Sequence, residues 1–311
     1  MKFPFFICVL LLSLHVSAQD DSTELAALGR ETVLSEVVIR NDLNIQKFLK
    51  RVKDDTTFYK AFKTLRIVGF TSLNDIKMLD KNGKVQASLY SRTKQQRDGN
   101  CRSMQVLEEK TTGDIYDDRE LNYYTAELYA SLFFTSNKVC NETNIVKGIE
   151  RDVRNKKGVA KHKEQLKMLF FNPGKKIPGI PFIGDKIDIF DPSVSRLYNF
   201  SIDMEDMRDQ SCYVFKIIAK DDLSGGDRDK IVFDNITTWF NSKTMEIVAR
   251  NYDLSFNTPV YDFDVHMEVR MTRVAGMLVP ELLTYKGNWK VAFKKRERGV
   301  FTATLFDFEK N

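Results

Sequence analysis

The residues of this chain with the donor types for chemistry at the closest spacing lie in residues 261–270, YDFDVHMEVR. Asp262, Asp264 and His266 offer two carboxylates and an imidazole, a donor set that a divalent metal accepts. Their spacing argues against a metal site. Alternate residues on one face of a strand stand roughly 6.5–7 Å apart, so three in a row do not converge on one ion. A solvated polar sheet face, with Arg270 or Lys290 supplying cross-strand charge partners, is the plainer expectation. No metal is assigned.

The other catalytic constellations fail one by one. G-x-S-x-G, H-E-x-x-H, a P-loop and G-x-G-x-x-G are all missing. Ser91-Arg92-Thr93-Lys94 matches S-x-x-K in letters, yet that nucleophile belongs at a helix start and this stretch reads as a strand. Past the leader only His162 and His266 remain, too few for histidine-based catalysis or a zinc site. Asp185, Asp188, Asp191, Asp203 and Glu205 could supply paired carboxylates, but they read as strand ends and turns. No catalytic residue and no cofactor is expected.

The informative residues are therefore apolar. Residues 173–184, PGKKIPGIPFIG, form a Pro/Gly-rich loop carrying Ile177, Ile180, Pro181, Phe182 and Ile183. Apolar side chains on a loop either plug a core or line the mouth of a pocket. In the second case the loop is a lid, and Tyr124, Leu128, Leu132, Phe133, Leu169, Phe170, Phe171 and Met267 line the space together with Ile180 and Phe182. Beside it the chain from Lys147 to Lys176 is basic. With Ile149, Val153, Val159, Leu166 and Leu169 on the opposite helical face, it could touch an anionic membrane surface or form a solvated face.

The elements that must position these residues follow from periodicity. In residues 261–270, Tyr261, Phe263, Val265, Met267 and Val269 alternate with polar residues, so one sheet face is apolar and needs a cover. Asn41-Asp42 precedes Ile45, Phe48, Leu49 and Val52 at helical spacing, and a second helical piece spans 58–62. Strands are expected at 65–73, 76–79, 85–91 and 103–109, with a DKNG hairpin turn at 80–83. Asp117-Asp118 is read as the cap of a helix running to Phe134, and 145–171 as a second helical stretch ended by Asn172-Pro173-Gly174. Nine strands follow, at 186–190, 197–204, 212–219, 230–240, 246–256, 261–272, 281–285, 289–295 and 301–308. The resulting fold class is α+β: a large, strongly curved antiparallel sheet, an incomplete β-barrel, with mid-chain helices covering its concave apolar face.

Lys2, the apolar run from Phe3 to Leu14 and Val16-Ser17-Ala18 read as a cleaved signal peptide over residues 1–18. Residues 19–40 read as a tail or short strand ending in VLSEVVI, and 41–311 as a single curved-sheet domain with its helical insertion at about 117–172. The protein is thus expected in the periplasm or secreted, soluble after processing. The net charge of +5 is mild and does not suggest nucleic acid. Cys101, Cys140 and Cys212 permit one bridge, with any of three pairings open.

Helix, four strands, two helices, a Pro/Gly loop and a long run of strands, behind an export signal, resembles the periplasmic lipoprotein carriers and their outer-membrane receptors, the LolA/LolB-like group. The strand–turn–strand TWFNSKTMEIVAR at 238–250 is similar to the strand pairs of those sheets. LFFNPG and TWFN also look like an exported family of Bacteroidetes. The resemblance implies an incomplete barrel closed by helices around acyl chains, with no gating residue carried over. The leading expectation is a non-enzymatic carrier of a lipophilic ligand, such as lipoprotein acyl chains. The alternative is an envelope scaffold that binds a protein partner by β-strand addition, and a glycan or lipid hydrolase ranks third. A cavity of roughly 300–1,000 Å³ under the helices favours the carrier, and a filled core with a bare edge favours the scaffold. On the lid reading, Phe182→Asp abolishes lipid binding while the sheet stays folded. Unchanged binding by the folded variant, measured by lipid titration, sinks the lid.

Overall fold

A computed structural model describes residues 44–146, 165, 167–177, 183–258, 261–291 and 295–309. The leader, the VLSEVVI segment, most of the basic stretch and the loop residues Ile180 and Phe182 lie outside the described residues. Among the described residues, no helix is long and apolar enough to cross a membrane.

The chain opens with helix α1 (Ile45–Asp54) and helix α2 (Thr57–Thr64). Three long strands follow: β1 (Gly69–Leu79), β2 (Val85–Asp98) and β3 (Cys101–Thr112). A two-residue-strand hairpin, β4 (Tyr116–Asp117) and β5 (Glu120–Leu121), leads into α3 (Tyr124–Phe133) and the short β6 (Val139–Cys140). After a helical turn at 167–171 come β7 (Tyr198–Met207), β8 (Gln210–Ala219), β9 (Phe233–Asn241) and β10 (Ile247–Asn257). The chain closes with β11 (Tyr261–Val274), β12 (Met277–Val291) and β13 (Glu297–Glu309).

Eleven of these strands form one open antiparallel sheet in the order β6-β3-β2-β1-β13-β12-β11-β10-β9-β8-β7. The first and last long strands are neighbours in its middle, because β1 pairs with β13. Cross-strand register then strings one buried side chain per strand along a single row: Phe200, Ile217, Ile236, Tyr252, Met267, Tyr285, Phe301, Ile76 and Leu89. The row ends at β3, where Thr111 opposite Leu89 is exposed. The helices lie on this face. Phe48 of α1 packs edge-on against Phe215 and Phe240 at 5.5 Å each, and Phe62 of α2 meets Phe171 at 4.3 Å. The expected fold class and the alternation of residues 261–270 are both found.

Four local expectations are corrected. Asn74-Asp75 is no turn: β1 runs straight through it, because buried Asn74 accepts from Ser72 Oγ and Tyr129 Oη and donates to Ser91 Oγ. Asp117-Asp118 does not start a helix. Asp118 and Arg119 take φ of 45° and 70°, the paired left-handed conformation of a tight hairpin turn, and α3 begins only at Tyr124. Residues 281–285 and 289–295 are parts of one strand, since Lys286-Gly287-Asn288 stays in the ladder opposite Val300, Gly299 and Arg298. Residues 186–190 form turns instead of a strand.

Of the three open cysteine pairings the structure has Cys101–Cys140, fastening β6 to β3, with Cys212 a buried free thiol. The bridge closes a sequence separation of 39 residues, for which chain entropy gives roughly 4 kcal/mol. Peptide mapping without reductant is expected to recover the Cys101–Cys140 linkage, with Cys212 alkylated only after unfolding. Cys101→Ser is expected to lower stability in denaturant titration by about that amount or somewhat less.

Candidate functional site

The candidate site is where α3 and the turn at 167–171 roof the sheet. Helix α3 has no side-chain cap of its own; Glu297 from β13 supplies one. One carboxylate oxygen of Glu297 accepts from Tyr124 N at 2.9 Å. The other accepts from Thr125 N at 2.9 Å and Thr125 Oγ1 at 2.7 Å. A carboxylate on the first amides of a helix also meets the positive end of its dipole. Farther along, Tyr129 Oη donates within reach of Asn74 Oδ1 (3.0 Å) and Thr302 O (3.1 Å). These two polar anchors set which face of α3 turns down, and Leu128, Leu132 and Phe133 follow at helical spacing.

On the other side of the roof, Tyr252 Oη donates to the carbonyl of Phe170 and contacts Met267 Sδ at 3.3 Å. Burial drives the Tyr129, Tyr252 and Tyr285 hydroxyls well above the ordinary phenol range, so they stay neutral donors. Between roof and sheet lies a pocket of about 30 Å³ lined by Thr125, Leu128, Tyr129, Leu132, Phe133, Phe170, Phe171, Met267, Leu283, Tyr285 and Phe301. The lining is almost wholly carbon. Its volume is that of roughly one or two water positions and far below the roughly 300–1,000 Å³ set above for a carrier. By that criterion the filled core stands on the scaffold's side, and a carrier needs the roof to lift. Larger hollows, of about 480 and 640 Å³, are open clefts with charged rims elsewhere on the surface.

Of the residues the sequence nominated, Leu128, Leu132, Phe133, Phe170, Phe171 and Met267 meet around this pocket. Leu169 is buried in the same core, and Tyr124 sits at the capped end of α3 without lining the pocket. Ile180 and Phe182 lie outside the described residues. Sequence reasoning missed Tyr129, Leu283, Tyr285 and Phe301. A signal was present for two of them in Tyr285-Lys286-Gly287 and Gly299-Val300-Phe301. Gly287 and Gly299 face each other across β12 and β13. Tyr285 and Phe301, also paired, stack at 4.9 Å and 12° and fold back over the two bare glycines. The pocket floor depends on that arrangement.

The polar face of β11 holds the residues that suggested a metal. Asp262 is ion-paired with Arg296, and His266 sits between Asp253 (2.6 Å) and Glu268 (3.1 Å). Burial alone would lower the imidazole, but the two carboxylates outweigh it and raise its affinity for a proton. Of the basic stretch, Lys176 pairs with Asp185 at 3.2 Å.

Compared with known proteins, the chain matches no family model and no curated protein. Among solved structures it is similar to a DUF1329 family protein from Desulfovibrio piger, at 9% identity and TM-score 0.25, over 82% of this chain and 94% of that one. It is also similar to a domain named for outer membrane lipoprotein sorting from Vibrio parahaemolyticus, at 9% identity and TM-score 0.28, over 86% and 93%. Lipovitellin matches at 5% identity and TM-score 0.21, over 78% of this chain and 25% of its own. The resemblance drawn from element order is met to that extent, and at such scores it carries no functional argument.

Three outcomes follow from the geometry. Gly287→Ala puts a methyl group into Tyr285 Oη, which must swing out; the expected loss is about 1–3 kcal/mol, read from thermal or denaturant unfolding. Glu297→Ala leaves the first amides of α3 uncapped, an expected cost of about 1–2 kcal/mol, with faster hydrogen exchange in α3 than in β12. For His266 the folded pKa is the raised one, so its contribution is complete below the unfolded value of about 6.5 and fades as pH rises through the folded value. The group is 43% exposed, so about a few tenths of a kcal/mol are expected. Wild type should exceed His266→Gln in stability below about pH 6.5 and converge with it at alkaline pH.

Proposed function

We propose that this protein binds a lipophilic ligand, an acyl chain being the chemistry that fits, and that the roof over the pocket lifts to admit it. The observation that carries the reading is the apolar pocket between roof and sheet, with α3 fixed by two discrete polar anchors. Such a roof can lift as a unit, because Glu297 and Tyr129 hold it by a few hydrogen bonds and the rest is apolar contact. An acyl chain entering there replaces one apolar surface by another and leaves no polar group newly buried. The function is non-enzymatic: a carrier or binding protein, placed by its leader in the periplasm or outside the cell, with lipoprotein acyl chains as one source of the ligand.

Titration with a fluorescent fatty acid tests this. Leu132 is half-buried at the rim of the pocket, and Leu132→Trp fills the space without a buried cavity or charge. Affinity is expected to fall at least tenfold while the unfolding midpoint stays near wild type; full affinity in the folded variant removes the pocket from the function.

A second reading has an observation of its own. Among the described residues β6 pairs only with Cys101 and Arg102, so residues 105–112 of β3 form an unpaired, exposed sheet edge there, with Val106 at 55% and Leu107 at 46%. An unpaired edge of that length can accept a strand from a partner protein. A photocrosslinking residue at position 106 should then capture one polypeptide, while the same residue at position 86 captures none.

A further inference from the structure

Arg250 carries a charge into the covered face of the sheet. It stands two residues before Tyr252 on the same face of β10 and is 8% exposed. Its Nε donates to Thr238 Oγ1 at 2.9 Å, and its guanidinium lies over the Phe58 ring, with Cζ 4.4 Å from the centroid. Among the described residues, neither Nη group has a protein acceptor and no carboxylate forms an ion pair with it. Arginine is rarely this buried without an ionic partner; the Nη atoms of Arg250 are not among the sealed, unsatisfied polar atoms, so they keep contact with solvent.

A second cation approaches from the roof. Lys175, four residues after Phe171, donates from Nζ to the carbonyl of Val52 at 3.2 Å and lies 5.6 Å from the Phe190 ring. It too makes no ion pair with a carboxylate among the described residues. Burial pushes its ammonium down to about 8, and Asp55 works against that shift; both cations meet the α1–α2 segment, Lys175 at the Val52 carbonyl and Arg250 at the Phe58 ring. Asp55 is the acid both sense, but its Oδ1 already accepts from Thr57 N at 3.1 Å and Thr57 Oγ1 at 2.6 Å.

We infer that Arg250 and Lys175 hold the anionic end, a carboxylate or phosphate, of an amphiphile whose tail occupies the pocket under α3. The inference rests on the binding function proposed above. A guanidinium with both Nη groups free presents a fork that takes two oxygens at once, and an ammonium adds a third donor. Packed aromatic rings connect the two ends. Phe58 packs on Phe62 at 5.5 Å, Phe62 on Phe171 at 4.3 Å, and Phe171 is a wall of the pocket. Tyr252, the next residue on the Arg250 side of β10, holds the carbonyl of Phe170 on the opposite wall.

The test uses the full chain with three probes: palmitate, hexadecanol of equal chain length, and inorganic phosphate. Wild type is expected to bind palmitate at least tenfold more tightly than hexadecanol by calorimetry. Arg250→Met and Lys175→Met are each expected to bring that ratio toward one and leave hexadecanol affinity unchanged. Equal affinities in wild type overturn the anion site while the apolar pocket stands, and an undiminished ratio in both variants overturns the assignment to these residues. If neither lipid binds, the pocket reading fails and phosphate decides. A thermal midpoint raised by phosphate in wild type but not in Arg250→Met supports the cation pair as a site for a free anion, and no shift overturns it. Arg250→Met removes a buried charge without a carboxylate partner, so it is expected to fold. Should it not, Lys175→Met carries the comparison.

Discussion

The structure depends on one topological constraint: the chain must get from one edge of an open sheet to the other across its face. β1 and β13 are paired in the middle of the sheet, so β3 and β7 stand near opposite edges. Ten inter-strand steps separate β6 from β7, about 48 Å along a flat sheet at about 4.8 Å each. The described chain between them lies on the apolar face at 167–171, with Met168, Leu169, Phe170 and Phe171 buried. The turn at 167–171 is part of that crossing, whereas α3 precedes β6 and belongs to the excursion that leaves the β3 edge and returns to it. The helices before β1 cross the same face from the other direction, with Phe48 over β8 and β9 and Phe62 against Phe171. The row from Phe200 to Leu89 is apolar because two passes of backbone lie on it.

A segment laid over the face is a cover before it is anything else, and whether it opens is a matter of magnitudes. Lifting α3 exposes Leu128, Tyr129 and Phe133, which at about 1.5–3 kcal/mol each amounts to roughly 5–9 kcal/mol. Breaking the Glu297 and Tyr129 anchors adds about 0.5–1.5 kcal/mol for each neutral hydrogen bond and more for those to the carboxylate. A small apolar solute cannot offset that sum. A chain of about a dozen methylenes, at about 0.8 kcal/mol each, recovers roughly 10 kcal/mol, the larger part of it. On the proposed binding function, a pocket of about 30 Å³ would select for long chains by the cost of opening, whereas a preformed cavity would select by shape.

Periodicity carried the large features of the fold into view. The period-two stretch 261–270 showed which side of the sheet is inside, and Met267 led to the pocket from the strand side as Leu128, Leu132 and Phe133 did from the helix side. The failures share a cause: a local signal was outvoted by a distant partner. Asn74-Asp75 and Lys286-Gly287-Asn288 have turn composition, but Asn74 finds Ser91 and Tyr129, and Gly287 is covered by Tyr285. Asp117-Asp118 resembles a cap, yet the cap of α3 comes from Glu297, more than 160 residues away. Tyr285 and Phe301 were invisible as site residues because opposing glycines reveal themselves only once the register of β12 with β13 is known. Arg250 was read as one polar residue on a strand, and only its neighbours make it anomalous.

That anomaly bears on the energetics of opening the roof. A core assembled by two chain crossings has ample apolar surface, so nothing in its construction requires a guanidinium at β10. Methionine would fill the same space over Phe58 and spare the desolvation cost. The charge is tolerated because its stem packs and Nε is satisfied by Thr238, leaving the Nη groups in contact with solvent and without an ionic partner. An anion placed there supplies one at the same moment that a tail offsets the larger part of the cost of opening α3. Head and tail then contribute to one equilibrium, and an amphiphile is held more tightly than its uncharged analogue without any change in the apolar pocket. The exposed edge at β3 shares none of these residues, so a protein partner there and a ligand under α3 can be bound together.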